Sequence, residues 1–257
     1  MAQVIARAIR RARQISARAG QRVRALPVRW HSRGGPIPPG RLIHLVAGTE
    51  DVQWFLASGA VAAASLRELL AKNGVRLGSV GSLLDFGCGV GRVLRHWDSL
   101  QNVAIHGTDF NPALIAWCRA HLRFAQFGAN TLDGPIDLPD GSIGFAYALS
   151  VLTHLPEAEQ RHALGELRRV LRPGGCLAFT THGDCYRPML APDLRARYDA
   201  GELIVQGGRR AGSNDCAVFH PPAYVRKAML DGFELLDHVP EGARGNPRQD
   251  YWLVRKP

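Results

Sequence analysis

Long apolar runs are missing from this 257-residue chain. None approaches the ~18–20 consecutive residues that a membrane-spanning helix requires. No C-x-x-C pair occurs, and the five cysteines (88, 118, 176, 185 and 216) are scattered and odd in number. That pattern excludes a disulfide framework and reads as reduced thiols in an intracellular, cytoplasmic protein. Acidic residues are missing from a whole stretch: positions 1–49 hold ten arginines and no acid, the first being Glu50. The net charge of +10 therefore resides there, because 22 basic residues balance 22 acidic ones in the remainder. A neutral body argues against a fold that grips nucleic acid along its whole face, so no nucleic-acid partner is expected. No internal repeat is visible, which argues against a solenoid or propeller.

What is present organises around Leu83-Leu84-Asp85-Phe86-Gly87-Cys88-Gly89-Val90-Gly91-Arg92. It reads as a buried strand running into a glycine-rich turn, where backbone can take conformations that a Cβ forbids. Close approach of backbone N–H groups to a ligand is expected there. Val93, Leu94 and Trp97 suggest a helix over 91–99, which would set the turn at a helix N-terminus. A second strand near 103–108 leads to Asp109, whose carboxylate suits a ribose diol. A dinucleotide fold would need G-x-G-x-x-G, but here the third glycine comes one residue early and Arg92 takes its place. That disfavours a nicotinamide-dependent oxidoreductase.

In chain order, residues 1–26 place Val4, Ile5, Ala8, Ile9, Ala12, Ile15 and Ala19 at helical spacing opposite a run of arginines. This basic amphipathic segment could lie on an anionic membrane surface, dock on a partner, serve as a transit peptide, or remain a solvated tail. Prolines 36, 38 and 39 mark a linker over 33–40, so the extension is bounded at 1–40 and the main domain at 41–257. An alanine-rich helix is predicted over 51–72, ending at Asn73-Gly74, with Trp54 and Phe55 either packed on the core or roofing a ligand. Asn111-Pro112 opens the next helix. A third strand near 124–129 ends at Asn130-Thr131, where an Asn amide can meet a base edge or cap a turn. Strands near 143–149 and 176–181 lead to Ser150, His154 and His182. Residues 183–220, with a short strand at 203–206, form an insertion expected to wall the substrate, since a loop of that length usually covers a site. A helix over 222–230 and strands over 233–239 and 250–254 close the chain.

The run Asp85-Phe86-Gly87-Cys88-Gly89-Val90-Gly91 resembles the first motif of the class I S-adenosylmethionine-dependent methyltransferases. Leu171-Arg172-Pro173-Gly174-Gly175 before a strand is similar to their late signature. More narrowly, Tyr147–Leu155, Thr180-Thr181-His182-Gly183 and Gln249-Asp250 look like a bacterial subgroup often associated with glycosyltransferase and surface-polysaccharide functions. The resemblance implies a Rossmann-like α/β fold with a doubly wound seven-stranded sheet, mostly parallel, the last strand antiparallel. It implies S-adenosyl-L-methionine as cofactor. Gly87, Gly89 and Gly91 would face its methionine part and Asp85 would order the loop. Asp109 would hold the ribose, Phe110 would flank the adenine, Asn130 and Thr131 would read the adenine edge, and Ser150 would lie on the cofactor side. Gly144 stands where the family usually has Asp.

Methyl transfer to a hydroxyl needs the acceptor aligned, water excluded and a proton removed. His154, His182 and His220 are the candidates for that base. No metal set stands out, His182-x-x-Cys185 being a lone pair of ligand types. The expected acceptor is a small molecule or a glycan hydroxyl, with an N- or C-methyltransferase, or a cofactor-binding protein without turnover, as alternatives.

Overall fold

The computed structural model describes residues 35–207, 212, 216–245 and 247–257. The basic segment expected over 1–26 lies outside the described residues. Among the described residues nine strands form two sheets. The larger has the order β3-β2-β1-β4-β5-β9-β8. Its members are β1 Ser82–Phe86, β2 Ala104–Asp109, β3 Gln126–Ala129, β4 Ile143–Ala148, β5 Leu171–Thr181, β8 Glu234–Ala243 and β9 Gln249–Arg255. The strands β3 to β5 run parallel, while β9 runs antiparallel to both β5 and β8. The order reverses between β1 and β4, and the carboxyl ends of those two strands open the crevice where such sheets bind ligands.

Helices cover both faces. On one lie α1 Gly40–Ala47, α2 Val52–Lys72 and α3 Pro112–His121; on the other lies α4 Glu157–Val170. Asp51 caps α2 by accepting from Trp54 N at 3.0 Å, and Asn111 caps α3 by accepting from Ala113 N at 3.0 Å. By length and composition alone α2 could cross a bilayer, yet Phe55, Ala62, Leu66 and Leu70 are sunk in the core against the sheet. The two roles weighed for its aromatic pair divide between them: Phe55 is fully buried and Trp54 is left part-exposed.

One expectation needs correction and two gain detail. The helix predicted over 91–99 is a single 3₁₀ turn, Leu94–Trp97. Beside it the buried Arg95 Nε donates back to Gly91 O at 3.1 Å. The supposed linker ends in α1, which seats Leu42 and Ile43 in the core. The insertion over 183–220 carries its own small core of Tyr186, Leu190, Tyr198, Ile204, Ala217 and Phe219. It holds α5 Pro192–Asp199 and the antiparallel pair β6 Ile204–Gly207 and β7 Cys216–Phe219, where one short strand was expected. After it, α6 Pro222–Tyr224 runs into a π turn at Val225–Met229.

Gly144, the departure from the family pattern, has a direct cause. A Cβ there would overlap the Val80 carbonyl oxygen, which is backbone and cannot rotate away.

Candidate functional site

A cavity of about 860 Å³ opens at the carboxyl ends of β1, β2 and β4. That lies within the ~300–1,000 Å³ range of small-molecule sites. Its floor is the turn after β1. Gly87 (φ +78°) and Gly89 (φ +57°) line it in left-handed conformations. An added Cβ at Gly87 would strike Val151 Cγ2, and one at Gly89 would come within 2.7 Å of Val46 Cγ2. Gly91 (φ +70°) is also left-handed but does not line the cavity, because its α-carbon faces Leu122.

The N–H groups of this turn were expected to meet a ligand, and four of them do not. Gly87 N and Cys88 N donate to Thr108 O at 2.8 and 2.9 Å, and Gly91 N to Cys88 O at 2.9 Å. Gly89 N donates to Asp109 Oδ2 at 2.9 Å. With no α-helix following, the helix-terminus argument for an anion also falls away. The charged groups on this wall are instead Asp85 and Arg92. Asp85 accepts from Tyr147 Oη at 2.8 Å, and Tyr147 in turn accepts from Trp97 Nε1 at 2.9 Å. Burial lifts the Asp85 carboxyl to about 7 against the pull of Tyr147 and Arg92. Arg92 donates to Ser58 Oγ at 3.3 Å and Gly245 O at 3.2 Å. It had been read only as an obstacle to dinucleotide binding; the structure sets it on the cavity wall. An acid and a base side by side complement a zwitterionic amino-acid moiety.

At the next strand end, Asp109 is buried and lines the cavity. Its oxygens take Gly89 N and, at 2.8 Å, Asn111 N, which fix the carboxylate while leaving each oxygen a further lone pair. Burial raises its pKa and the two N–H bonds oppose the rise. Phe110, Asn130 and Thr131 continue the wall. Asn130 Nδ2 donates to Thr131 O at 3.0 Å, whereas its Oδ1 is shielded and has no partner among the described residues. A buried acceptor without a donor is costly unless a ligand supplies one, and an exocyclic amine would. The Cβ-free floor, the pinned Asp109 and the orphan Oδ1 together fit S-adenosylmethionine.

The cavity is completed by distant parts of the chain. His44 to Thr49 of α1 and its following turn, Trp54 and Pro247 line it, and from the insertion Gly212 is the described residue that reaches it. Ser150 and His154, beyond β4, line it too. His154 Nδ1 lies 2.7 Å from Cys216 O, and Gly212 N donates to His154 O at 2.8 Å, so the insertion grips this residue twice. A carbonyl only accepts, so Nδ1 carries the proton and the ring's basic lone pair is at Nε2.

The structure does not bring the other two histidines to the cavity. His182 is buried behind His154, ring centroids 6.4 Å apart, with Nδ1 on Val218 O at 3.0 Å. Burial, then the neighbouring His154 and His220, pushes its pKa well below the ordinary value. His220 is wholly buried, with Nε2 3.2 Å from Gln160 Oε1, and burial takes it down to about 3. Residue type and strand-end position selected both; neither reports which way a ring turns. The wall over α1 had a signal that could have found it: Pro39 before Leu42-Ile43 and Gly48 after, the latter a left-handed cap at φ +68°. Among the described residues no group of three or more His, Cys, Asp and Glu side chains could hold a metal ion.

Comparison with known proteins agrees with this geometry. Residues 84–179 match the family described as a methyltransferase domain. A 24-methylenesterol C-methyltransferase of Arabidopsis thaliana is 28% identical over 203 residues, covering 75% of this chain and 52% of that protein. A malonyl-[acyl-carrier protein] O-methyltransferase of Pectobacterium atrosepticum is 33% identical over 109 residues, covering 40% of this chain and 39% of that one. The chain thus spans about half the length, or less, of these curated relatives. Among solved structures, the glycopeptide N-methyltransferase MtfA in complex with S-adenosyl-L-methionine superposes with a TM-score of 0.52. It is 16% identical, over 76% of this chain and 94% of that one, a likeness of fold.

Proposed function

We propose that this chain, whose residues 84–179 match a methyltransferase domain, uses S-adenosylmethionine to methylate a hydroxyl of a small molecule or glycan. The single observation behind the choice of atom is His154. It lines the cavity, and Cys216 O at 2.7 Å sets its tautomer so that Nε2 is the basic nitrogen. A hydroxyl must lose its proton as it is methylated, and an imidazole lone pair can take it. When bound, the cofactor supplies an electrophilic methyl on sulfur and leaves as a neutral thioether, so no strong acid is required.

The chain's own residues do the rest. Gly87 and Gly89 leave room for the amino-acid end beside Asp85 and Arg92. Asp109 holds the ribose hydroxyls, and Asn130 Oδ1 accepts from the adenine amine. Trp54, α1 and the insertion close the wall over the acceptor and keep water out. The glycan preference draws on the resemblance of Tyr147–Leu155 and Gln249-Asp250 to the polysaccharide-associated bacterial subgroup. The arginine-rich 1–40 segment is proposed to hold the enzyme near an anionic surface or partner.

The test is incubation with S-adenosylmethionine bearing a labelled methyl group and a panel of sugars, polyols and lipids. Product mass and carbon shift then tell O–CH₃ from N–CH₃ and C–CH₃. Label on an oxygen, lost in His154→Ala while cofactor binding persists, is the expected result. Label appearing on nitrogen or carbon alone would remove the hydroxyl reading, and relatives acting on each kind of atom make that a real contest.

A further inference from the structure

Ser150 combines three features not explained so far. It is one of few non-glycine residues in the left-handed region, at φ +58°. Its backbone N donates to Thr180 Oγ1 at 2.8 Å. Its Oγ lies 3.0 Å from Gln249 Oε1. Left-handed backbone in a residue with a Cβ marks a position held by its surroundings, often at a site.

The surroundings can be followed atom by atom. Val218 O, on the insertion strand β7, can only accept, so His182 Nδ1 at 3.0 Å carries the proton. His182 is neutral, held so by burial and by His154 and His220 beside it, and its Nε2 is therefore an acceptor. Gln249 Nε2, 3.3 Å away, is the donor that meets it. This fixes the amide orientation, which the two ends of a Gln side chain otherwise leave ambiguous. The Gln249 oxygen then faces Ser150, and an amide oxygen only accepts. Ser150 must spend its one proton there. Gln249 is wholly buried, so no solvent competes for these bonds.

We propose that Gln249 and His182 are positioning residues whose hydrogen bonds turn Ser150 Oγ into an obligate acceptor, which receives the α-ammonium of the bound cofactor. Register says why that group is the one received. β4 pairs with β1 at Asp85↔Tyr147. Continued along the strands, this sets Ser150 level with Cys88, in the glycine turn that lines the cavity. The adjoining residue, Val151, is what a Cβ at Gly87 would strike. The acceptor-rich corner formed by Asp85 and Ser150 suits a cation, and the amino-acid end of the cofactor carries one. The proposal rests on the cofactor assignment and goes beyond it by giving the covering insertion, through Val218 and His182, a hand in cofactor recognition.

The experiment is titration calorimetry with two ligands: S-adenosylhomocysteine, and its deaminated counterpart, which keeps the carboxylate and replaces the ammonium by hydrogen. The wild type should bind the first about tenfold or more tightly than the second, as for a site built to pair a donor. Ser150→Gly, which relieves the left-handed backbone while removing Oγ, should bring the ratio close to one. Gln249→Leu and Gln249→Met, buried and of similar size, should narrow it severalfold. Unchanged affinity for the deaminated ligand shows that the variants are folded. A ratio unmoved in the Gln249 variants, or equal weakening of both ligands, would overturn the relay. A wild type that binds neither ligand would overturn the cofactor assignment itself.

Discussion

The two walls that we assign to cofactor and acceptor are made in different ways. The cofactor wall is local: Asp85, Gly87, Gly89, Asp109 and Asn130 stand at the ends of adjacent strands β1, β2 and β3, within one stretch of sequence. The acceptor wall is assembled over long separations. His44 comes from before the sheet, His154 from beyond β4, Gly212 from the insertion and Pro247 from the turn before β9. Hydrogen bonds repeat the contrast. Gly89 N reaches Asp109, 20 positions along, whereas His154 Nδ1 reaches Cys216 O, 62 positions away. A wall built from neighbouring strand ends comes with the fold and serves a common cofactor. A wall gathered from remote segments can change without disturbing the sheet, which suits it to substrate choice.

This contrast breaks most visibly at His154. Replacing it by Ala should lower turnover by roughly 10²–10⁴, or ~3–5 kcal/mol of barrier. Cofactor affinity, read by calorimetry, should stay within about twofold. A matching loss of cofactor binding would mean that the two walls are not separable.

Next in size is Gly144→Ala. The added methyl meets the Val80 carbonyl oxygen, so β4 must shift from beneath both walls. We expect a loss of about 3 kcal/mol in denaturant unfolding, at the upper end of overpacking costs. A neutral result would show that the strand start can yield. Smaller again is Asp109→Asn, which keeps shape and loses charge. It should weaken S-adenosylhomocysteine by roughly 10–100-fold, since bonds to a charged group are worth ~1.5–3 kcal/mol. An unaltered dissociation constant would remove the ribose role.

The sequence showed the two walls unequally, for the same physical reason. The sheet, the turn and Asp109 were legible because strand periodicity, left-handed glycines and a strand-end acid are local signals. The 3₁₀ turn at Leu94–Trp97 was not: Val93, Leu94 and Trp97 keep helical spacing although no α-helix forms there. Nor was the placement of His182 and His220. All three histidines follow strand ends, and only β7, whose Val218 and Cys216 carbonyls orient two of the rings, decides which faces the cavity. Gln249 had no local signature as part of a relay, because its two partners are 67 and 99 positions away.

The finest distinction between the walls is electrostatic, and it appears as opposite slopes of stability against pH. On the cofactor wall, Asp85 rises from 3.8 to about 7, so the folded chain holds its proton more tightly than the unfolded chain. Its contribution to stability is complete below pH 4 and is lost as pH climbs to 7. Behind the acceptor wall, His220 falls from 6.5 to about 3, so the folded chain refuses a proton that the unfolded chain accepts. Its contribution is complete above pH 6.5 and is lost as pH drops toward 3. Each slope approaches about 1.4 kcal/mol per pH unit. Between pH 4 and 6.5 the two oppose, and the wild type hides both. Single substitutions separate them. Asp85→Asn should gain stability relative to wild type with each unit from pH 4 to 7. His220→Gln should lose stability relative to wild type over pH 3 to 6.5. Parallel pH profiles for both variants would show that neither group is buried as tightly as its surroundings require, and the electrostatic contrast between the walls would vanish.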